Sequence, residues 1–424
     1  PAPLGRGRPR TTPPAAARPP YGPARHPSPR HSAAVRPLAP IRRRADTGAV
    51  RPRTGAAVAA ATVIGAGTAA VAAGRYASGV ALGPRPGRPL PGEPRLTVHA
   101  TGPGRVVLTR GLASLRPGVY GLRGPGVHAV VGPVLPDVPH APDTVVRRLE
   151  RVHHGTLGTG ARVSLTPQLH AGTPASALGI AHEDVEVPGE LGPLPAWYVP
   201  ADRSTWVVTV HGLGTTREHP LNVLGFLHAA QLPVLVVSYR GDPGAPRAAD
   251  GVGHLGGSEW HDVDAAVRYA LRRGARRVIL HGWSTGAAMA LHTIARSGLR
   301  ERIAGLVLDS PVLDWDATVR ALATAHRVPA ALLPLTVRAA QGRTGPHGDA
   351  LREAADPAAL PVPTLVIHGP DDTLAPWGPS RRLAERRPGL VTLHTVRQAP
   401  HASMWNADPD RYEEALRRFL VPLI

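Results

Sequence analysis

The sequence predicts an α/β fold: a mostly parallel sheet with helices on both faces, interrupted by a helical insertion and preceded by a small β-rich extension. Three observations carry that prediction. From about residue 181, short β-branched runs alternate with stretches of helical periodicity, the signature of strand–helix–strand crossovers and a parallel sheet. One such run, Arg277-Val278-Ile279-Leu280-His281, passes into Gly282-Trp283-Ser284-Thr285-Gly286 and then into a helical stretch. The chain's 424 residues suffice for two domains, or for one domain with extensions.

Residues 1–54 hold 12 arginines against one acid, Asp46, and are Pro-rich, with Tyr21 as the sole aromatic. Such a stretch cannot bury enough apolar surface to fold and reads as a disordered tail. Val50-Arg51-Pro52-Arg53 ahead of an Ala-rich run reads as a fresh start, so the preceding residues are expected to be an over-extended reading frame. Over 55–82 the chain is apolar, and 55–74 carries no charge. That length spans a bilayer. The five arginines Arg42, Arg43, Arg44, Arg51 and Arg53 ahead of it would keep the N-terminus cytoplasmic and place the remainder of the chain outside. The alternatives are a signal cleaved near Ala73 and a soluble Ala-rich helix, the latter in a cytoplasmic protein. Residues 83–94, rich in Gly and Pro, read as a linker.

From 95 to 180 the runs Leu96–His99, Arg105–Thr109, Val127–Val131 and Arg162–Thr166, separated by Gly/Pro turns, predict a β-rich accessory module without chemistry of its own. His153-His154 has no carboxylate at ligand spacing and is expected to face solvent. In the region 181–424, Asp184–Pro188 and Pro195–Val199 read as a strand pair. Core strands are expected at Trp206–Val210, Pro233–Ser238, Arg277–His281, Gly305–Asp309, Pro363–His368 and Leu390–His394. His261–Arg273 and Thr285–Ser297 have helical character. Asp408 is an N-cap with Pro409 at the first helical position, opening a last helix that runs to Leu420.

Composition excludes several classes. All 49 basic residues are arginine, and the net charge of +19 resembles the codon bias of a high-GC, actinobacterium-like genome. Since the excess charge sits largely in the tail, no nucleic-acid partner is expected. Without cysteine there is no thiolate metal site and no cysteine nucleophile. No metal or cofactor is expected.

The run around Ser284 is a candidate nucleophile site. A serine on a tight strand-to-helix turn needs glycine two residues before and two after it, because side chains there would clash. A serine hydroxyl needs an adjacent base, and the base needs an orienting acid. His401, in Ala399-Pro400-His401-Ala402, follows the last strand. Asp372, in His368-Gly369-Pro370-Asp371-Asp372-Thr373-Leu374-Ala375-Pro376, follows the strand before it. Asp371 and Asp309 are rival acids, and His211, His281 and His368 are read as structural.

With Ser, Asp and His in this order at strand ends, residues 181–424 resemble the α/β-hydrolase superfamily, in particular its serine aminopeptidase-like and monoacylglycerol-lipase-like branch. In that resemblance His-Gly-x-x-Asp-x-x-x-Pro is the acid motif and selects Asp372. Val210-His211-Gly212-Leu213-Gly214 is similar to the oxyanion loop, which assigns the backbone N–H groups of Leu213 and Thr285 to the oxyanion. Ser238-Tyr239-Arg240-Gly241 also looks like the family, with Arg240 expected in a solvent salt bridge. Thr285-Gly286-Ala287 departs from the usual Met-Gly-Gly. The resemblance implies a lid over about 310–361, with Trp315, Leu332, Leu333 and Leu335 as an apolar wall; the alternative is a lid that merely covers core.

The expected function is a serine hydrolase acting on a small-molecule, lipid or peptide acyl substrate: an ester, thioester or amide. An acyltransferase would share the same triad, and a non-catalytic binding protein would share the fold.

Overall fold

The computed structural model describes residues 71–83, 86–88, 90–344 and 347–424. The tail expected over 1–54 and most of the apolar stretch 55–74 lie outside the described residues. Helix α1 covers 71–82. Its Ala81 and Leu82 join a core with Trp315, Val319 and Leu322. A side chain at Gly74 would press on the Leu335 carbonyl oxygen at 2.9 Å. Among the described residues no helix is long and apolar enough to cross a membrane. Residues 71–74, the described end of the apolar stretch, belong to α1.

Six strands follow: β1 (Leu96–Gly102), β2 (Arg105–Thr109), β3 (Tyr120–Gly124), β4 (Val127–Val134), β5 (Thr144–His154) and β6 (Arg162–Thr166). They close into an antiparallel barrel in the order β1-β2-β5-β4-β3-β6. Closure leaves no unpaired edge. Leu96, Val98, Val106, Leu108, Tyr120, Leu122 and Leu165 fill its interior. The arginine-rich β5 hid from the sequence pattern because its polar residues outnumber its apolar ones. Arg147 on that strand is fully buried. It donates to the carbonyls of Gly132, Ser114, Arg116 and Gly118 at 2.7–3.1 Å, which engages four of its five N–H groups and clamps the β2–β3 loop. His153 does not face solvent as expected: it is half-buried, with Nε2 2.9 Å from the Leu169 carbonyl oxygen.

After α2 (Pro174–Leu178) comes the main sheet: β7 (Glu183–Gly189), β8 (Gly192–Val199), β9 (Thr205–Val210), β10 (Val234–Val237), β11 (Arg277–Trp283), β12 (Ile303–Asp309), β13 (Thr364–His368) and β14 (Val391–Thr395). Its order is β14-β13-β12-β11-β9-β10-β8-β7. β7 and β8 form an antiparallel hairpin, β8 pairs antiparallel with β10, and the other pairs are parallel. Alternate side chains of these strands feed two cores, because neighbouring residues of a strand point to opposite faces. On one face Val208, Val210, Leu235, Leu280 and Leu308 meet α4 (Trp260–Arg272) and α5 (Thr285–Arg296). On the other, Val207, Val234, Val236, Ile279 and Val307 meet α3 (Leu221–Ala229) and α11 (Pro409–Leu420). Asp408 caps α11 by accepting from the Arg411 amide.

Between β12 and β13 stand α6 (Trp315–Ala325), α7 (Leu333–Thr344) and α8 (His347–Ala354); α9 (Trp377–Arg386) and α10 (Met404–Ala407) complete the helices. The barrel is pinned to α10. Val119 donates to the Asn406 carbonyl at 2.9 Å, and Asn406 Nδ2 donates to the carbonyls of Val119 and Pro167 at 3.0 Å. A Cβ on Gly118 would fall on the Asn406 carbonyl oxygen, so glycine permits that close approach.

Candidate active site

β10 lies on one side of β9 and β11 on the other, so the loops leaving β9 and β11 diverge. A crevice at the carboxyl ends of strands opens where the order reverses in this way. Every candidate residue leaves the sheet at this edge.

Ser284 stands between β11 and α5 with φ 54° and ψ −114°, a strained conformation for a residue with a Cβ. The turn demands its glycines. A Cβ on Gly286 would collide with the Val210 carbonyl oxygen, and one on Gly282 with the backbone at Gly286 and Ala287. Ser284 is held from behind, its N–H donating to the Asp309 carbonyl at 2.8 Å. A Cβ on Gly212 would lie 2.7 Å from the Ser284 Cβ. The missing side chain therefore lets the β9 loop, and Leu213 with it, come against the serine. Thr285 begins α5, so its free N–H belongs to a helix N-terminus, where negative charge is favoured.

His401 Nε2 lies 2.6 Å from Ser284 Oγ, and His401 Nδ1 lies 2.7 Å from Asp372 Oδ2. The structure thus brings together Ser284, His401 and Asp372, which are separated by up to 117 residues along the chain. The other Asp372 oxygen accepts from the Leu374 and Ala375 amides, each at 2.9 Å. Burial pushes the Asp372 carboxyl up. His401 and His368 with their hydrogen bonds outweigh it and hold the group well below the usual carboxylate range.

The rival acids sit elsewhere. Asp371 accepts from the Gln398 amide at 2.8 Å. Asp309 is fully buried at the end of β12 and accepts from Ser310 Oγ at 2.8 Å. Burial, eased by Ser310 and Tyr412, pushes its carboxyl up to about 7. Ser310 Oγ also accepts from the Ala402 amide at 3.0 Å, directly after His401. Ser310 and Ala402 both have positive φ, 47° and 56°. Ser310 is therefore a latch on the histidine loop. No motif pointed to it, since its partner lies 92 residues away.

The three histidines read as structural are all buried. His368 bridges Ser380 Oγ at 2.8 Å and Asp372 Oδ2 at 3.0 Å, so it orients the acid itself. His211 pairs with Asp242 at 2.7 Å and stacks on Tyr239. His281 meets the Tyr412 hydroxyl at 3.0 Å. Arg240 corrects the expectation of a solvent pair. It is 8 % exposed, bonds Asp262 through Nε and Nη2 at 2.9 and 2.7 Å, and also meets Glu190 at 3.1 Å. These two carboxylates engage its Nε and Nη2 donors.

Two cavities open beside the candidate residues. One, of about 690 Å³, is lined by Leu213, Thr285, Tyr239 and Met289, on the side of the two backbone amides. The other, of about 470 Å³, is lined by His401, Tyr120, Leu165 and Ala321. Trp315, Leu332, Leu333 and Leu335 line neither of these two cavities, and Trp315 is packed in a core with α1, as the alternative of a core-covering segment has it. The segment read as a linker also does more than connect, because Leu90 packs on the same core as Leu213 and lies 3.0 Å from where a Gly214 Cβ would stand. Among the described residues no group of three or more His, Asp or Glu side chains could hold a metal ion.

A family model described as a domain of unknown function, DUF8805, matches residues 97–166, which is the barrel. No curated protein matches the chain. Among solved structures, the chain is similar to the esterase Pf2001 of Pyrococcus furiosus, at 23 % identity over 60 % of this chain and 94 % of that one, with a TM-score of 0.49. It is also similar to an alpha-beta hydrolase of Vibrio vulnificus (19 % identity, 56 % and 81 % covered, TM-score 0.44). A bromoperoxidase of Bacillus anthracis is a further structure it resembles (17 % identity, 56 % and 100 % covered, TM-score 0.41).

Proposed function

We propose that this protein is a serine hydrolase of the α/β-hydrolase type, cleaving an ester, thioester or amide through an acyl-enzyme. The observation that carries the reading is the unbroken hydrogen-bond line from Asp372 through His401 to Ser284, at 2.7 and 2.6 Å. The sheet order, with nucleophile, acid and base each following a strand, supports it as well.

In this reading His401 Nε2 takes the Ser284 proton as Oγ attacks the carbonyl carbon. Asp372, ionised across the physiological range, accepts from Nδ1–H, fixes the tautomer and stabilises the imidazolium. The carbonyl oxygen, now an oxyanion, turns toward the Leu213 and Thr285 amides. Such a donor is worth about 3 kcal/mol because it acts on charge that appears only in the transition state. The imidazolium then hands its proton to the leaving group. Water, deprotonated by the same nitrogen, releases the acid and frees Ser284.

A fluorophosphonate probe tests this. Labelling of the wild type that vanishes in Ser284→Ala is the expected result, and a folded wild type that resists the probe would overturn it. Adding an alcohol acceptor to the ester assay separates hydrolysis from acyl transfer.

A further inference from the structure

We infer that His219 is a positioning residue of the same active site: its ring ties the loops of His401, Ser284 and Leu213 to one another, donating from Nε2 to the Ala402 carbonyl and packing beside Trp283. This rests on the hydrolase reading above and adds to it a residue that touches none of the reacting atoms.

Ala402 follows His401 directly, and its φ is 56°. Such a backbone is costly for a residue with a Cβ and persists only where the surroundings hold it. Ser310 Oγ accepts from the Ala402 N–H at 3.0 Å, which secures one side. On the other side the Ala402 carbonyl accepts a hydrogen bond from His219. Ser310 and His219 are both buried. With its two polar groups held by buried side chains, the loop offers His401 to Ser284 in one orientation.

His219 reaches the other two loops as well. It stands between β9 and α3, on the loop that also carries Leu213. Its N–H donates to the Thr216 carbonyl at 2.9 Å, and its carbonyl accepts from the Asn222 amide at 3.1 Å, so its backbone is fixed where the chain turns into α3. Its ring centroid lies 5.3 Å from that of Trp283, tilted by 50°. Trp283 immediately precedes Ser284 and stacks on His281 at 4.0 Å.

The tautomer follows from these surroundings. Burial, with smaller pushes from His211 and His401, takes the ionisation of His219 down to about 3 against the pull of the Ala402 hydrogen bond. The ring is therefore neutral at physiological pH and carries one N–H. Nδ1 has no partner among the described residues. A carbonyl can only accept, so the proton is on Nε2. Neutrality suits the chemistry too, because a second positive charge would oppose the imidazolium that forms at His401.

Three substitutions in the full chain, assayed with p-nitrophenyl butyrate, test the role. In His219→Gln the amide nitrogen reaches the place of Nε2 and keeps the donor. In His219→Asn it stops at the place of Nδ1, and in His219→Leu there is none. We expect kcat to fall about tenfold in His219→Leu and His219→Asn with KM changed less than about twofold, and to stay within about threefold of wild type in His219→Gln. Fluorophosphonate labelling of Ser284 should slow in the same ratios, since it needs the same base. Each assay runs well below the variant's Tm, where a merely structural histidine would leave kcat unmoved. A folded His219→Leu with wild-type kcat, or a His219→Gln as slow as His219→Asn, overturns the role of His219 while wild-type labelling leaves the hydrolase reading standing. If His219→Leu does not fold, the comparison of Gln with Asn decides alone. A wild type that neither labels nor turns over the ester overturns the hydrolase reading and this role with it.

Discussion

Replacing Asp372 by Asn tests how the acid sets the histidine tautomer, and the hydrogen bonds around it determine what should happen. One carboxylate oxygen is held by the Leu374 and Ala375 amides at 2.9 Å each; the other faces His401 Nδ1 at 2.7 Å and His368 Nε2 at 3.0 Å. The new side chain has one acceptor and one donor end. Its carbonyl oxygen must stay with the two amides, since turning the NH₂ toward them would set donor against donor twice. The NH₂ therefore points at His401 Nδ1 and donates to it. The ring proton moves to Nε2, which can no longer accept from Ser284. We expect kcat to fall about 10⁴-fold, or about 5.5 kcal/mol in the barrier, with the fold retained. Ester turnover and fluorophosphonate labelling rates measure the loss, and circular dichroism checks folding. Asp309→Asn is the control, expected to cost less than about tenfold because Asp309 does not bond His401. A folded Asp372→Asn enzyme within tenfold of wild type, or a greater loss from Asp309→Asn, would refute the assignment.

Three further outcomes are expected. Ser310→Ala removes the acceptor of the Ala402 amide, so kcat should drop roughly tenfold with KM little changed, as loosening of the base predicts; an unchanged kcat would dismiss the latch. Gly286→Ala drives a Cβ into the Val210 carbonyl and should cost more than about 3 kcal/mol in urea denaturation, or abolish folding. The buried Asp309, raised to about 7, should make the protein pH-sensitive. Its folded value exceeds the unfolded one, so the stability it contributes is complete below about pH 4 and is lost as pH rises through 7. Asp309→Asn should flatten that decline and gain on the order of 3–4 kcal/mol at pH 8, and parallel stability curves for variant and wild type at pH 5 and 8 would exclude it.

Much of the main domain was legible because its signals are local. β-branched runs bounded by Gly and Pro marked β9 to β13, and the Asp408-Pro409 start of α11 is an N-cap followed by the residue whose missing N–H costs nothing there. Both glycines flanking Ser284 were readable from the steric demand of one turn. In α6, by contrast, Trp315 was expected in an apolar lid wall, and it is buried in a core instead. An apolar side chain facing a core and one facing a ligand have the same spacing, and Trp315 packs on α1 and its neighbours.

The sequence by itself determined the nucleophile turn, the alternation of strands and helices, and candidate residues at strand ends, because each depends on a few neighbours and on backbone sterics. Only the tertiary structure decided which acid reaches His401, that Arg240 is buried against Asp262, and that the barrel stands beside His401. Tyr120 and His401 meet across one cavity although nearly the whole main sheet separates them in sequence. Contacts of that kind are set by how finished elements dock, through groups such as Asn406 and Gly118, and no short-range pattern of residue types encodes them.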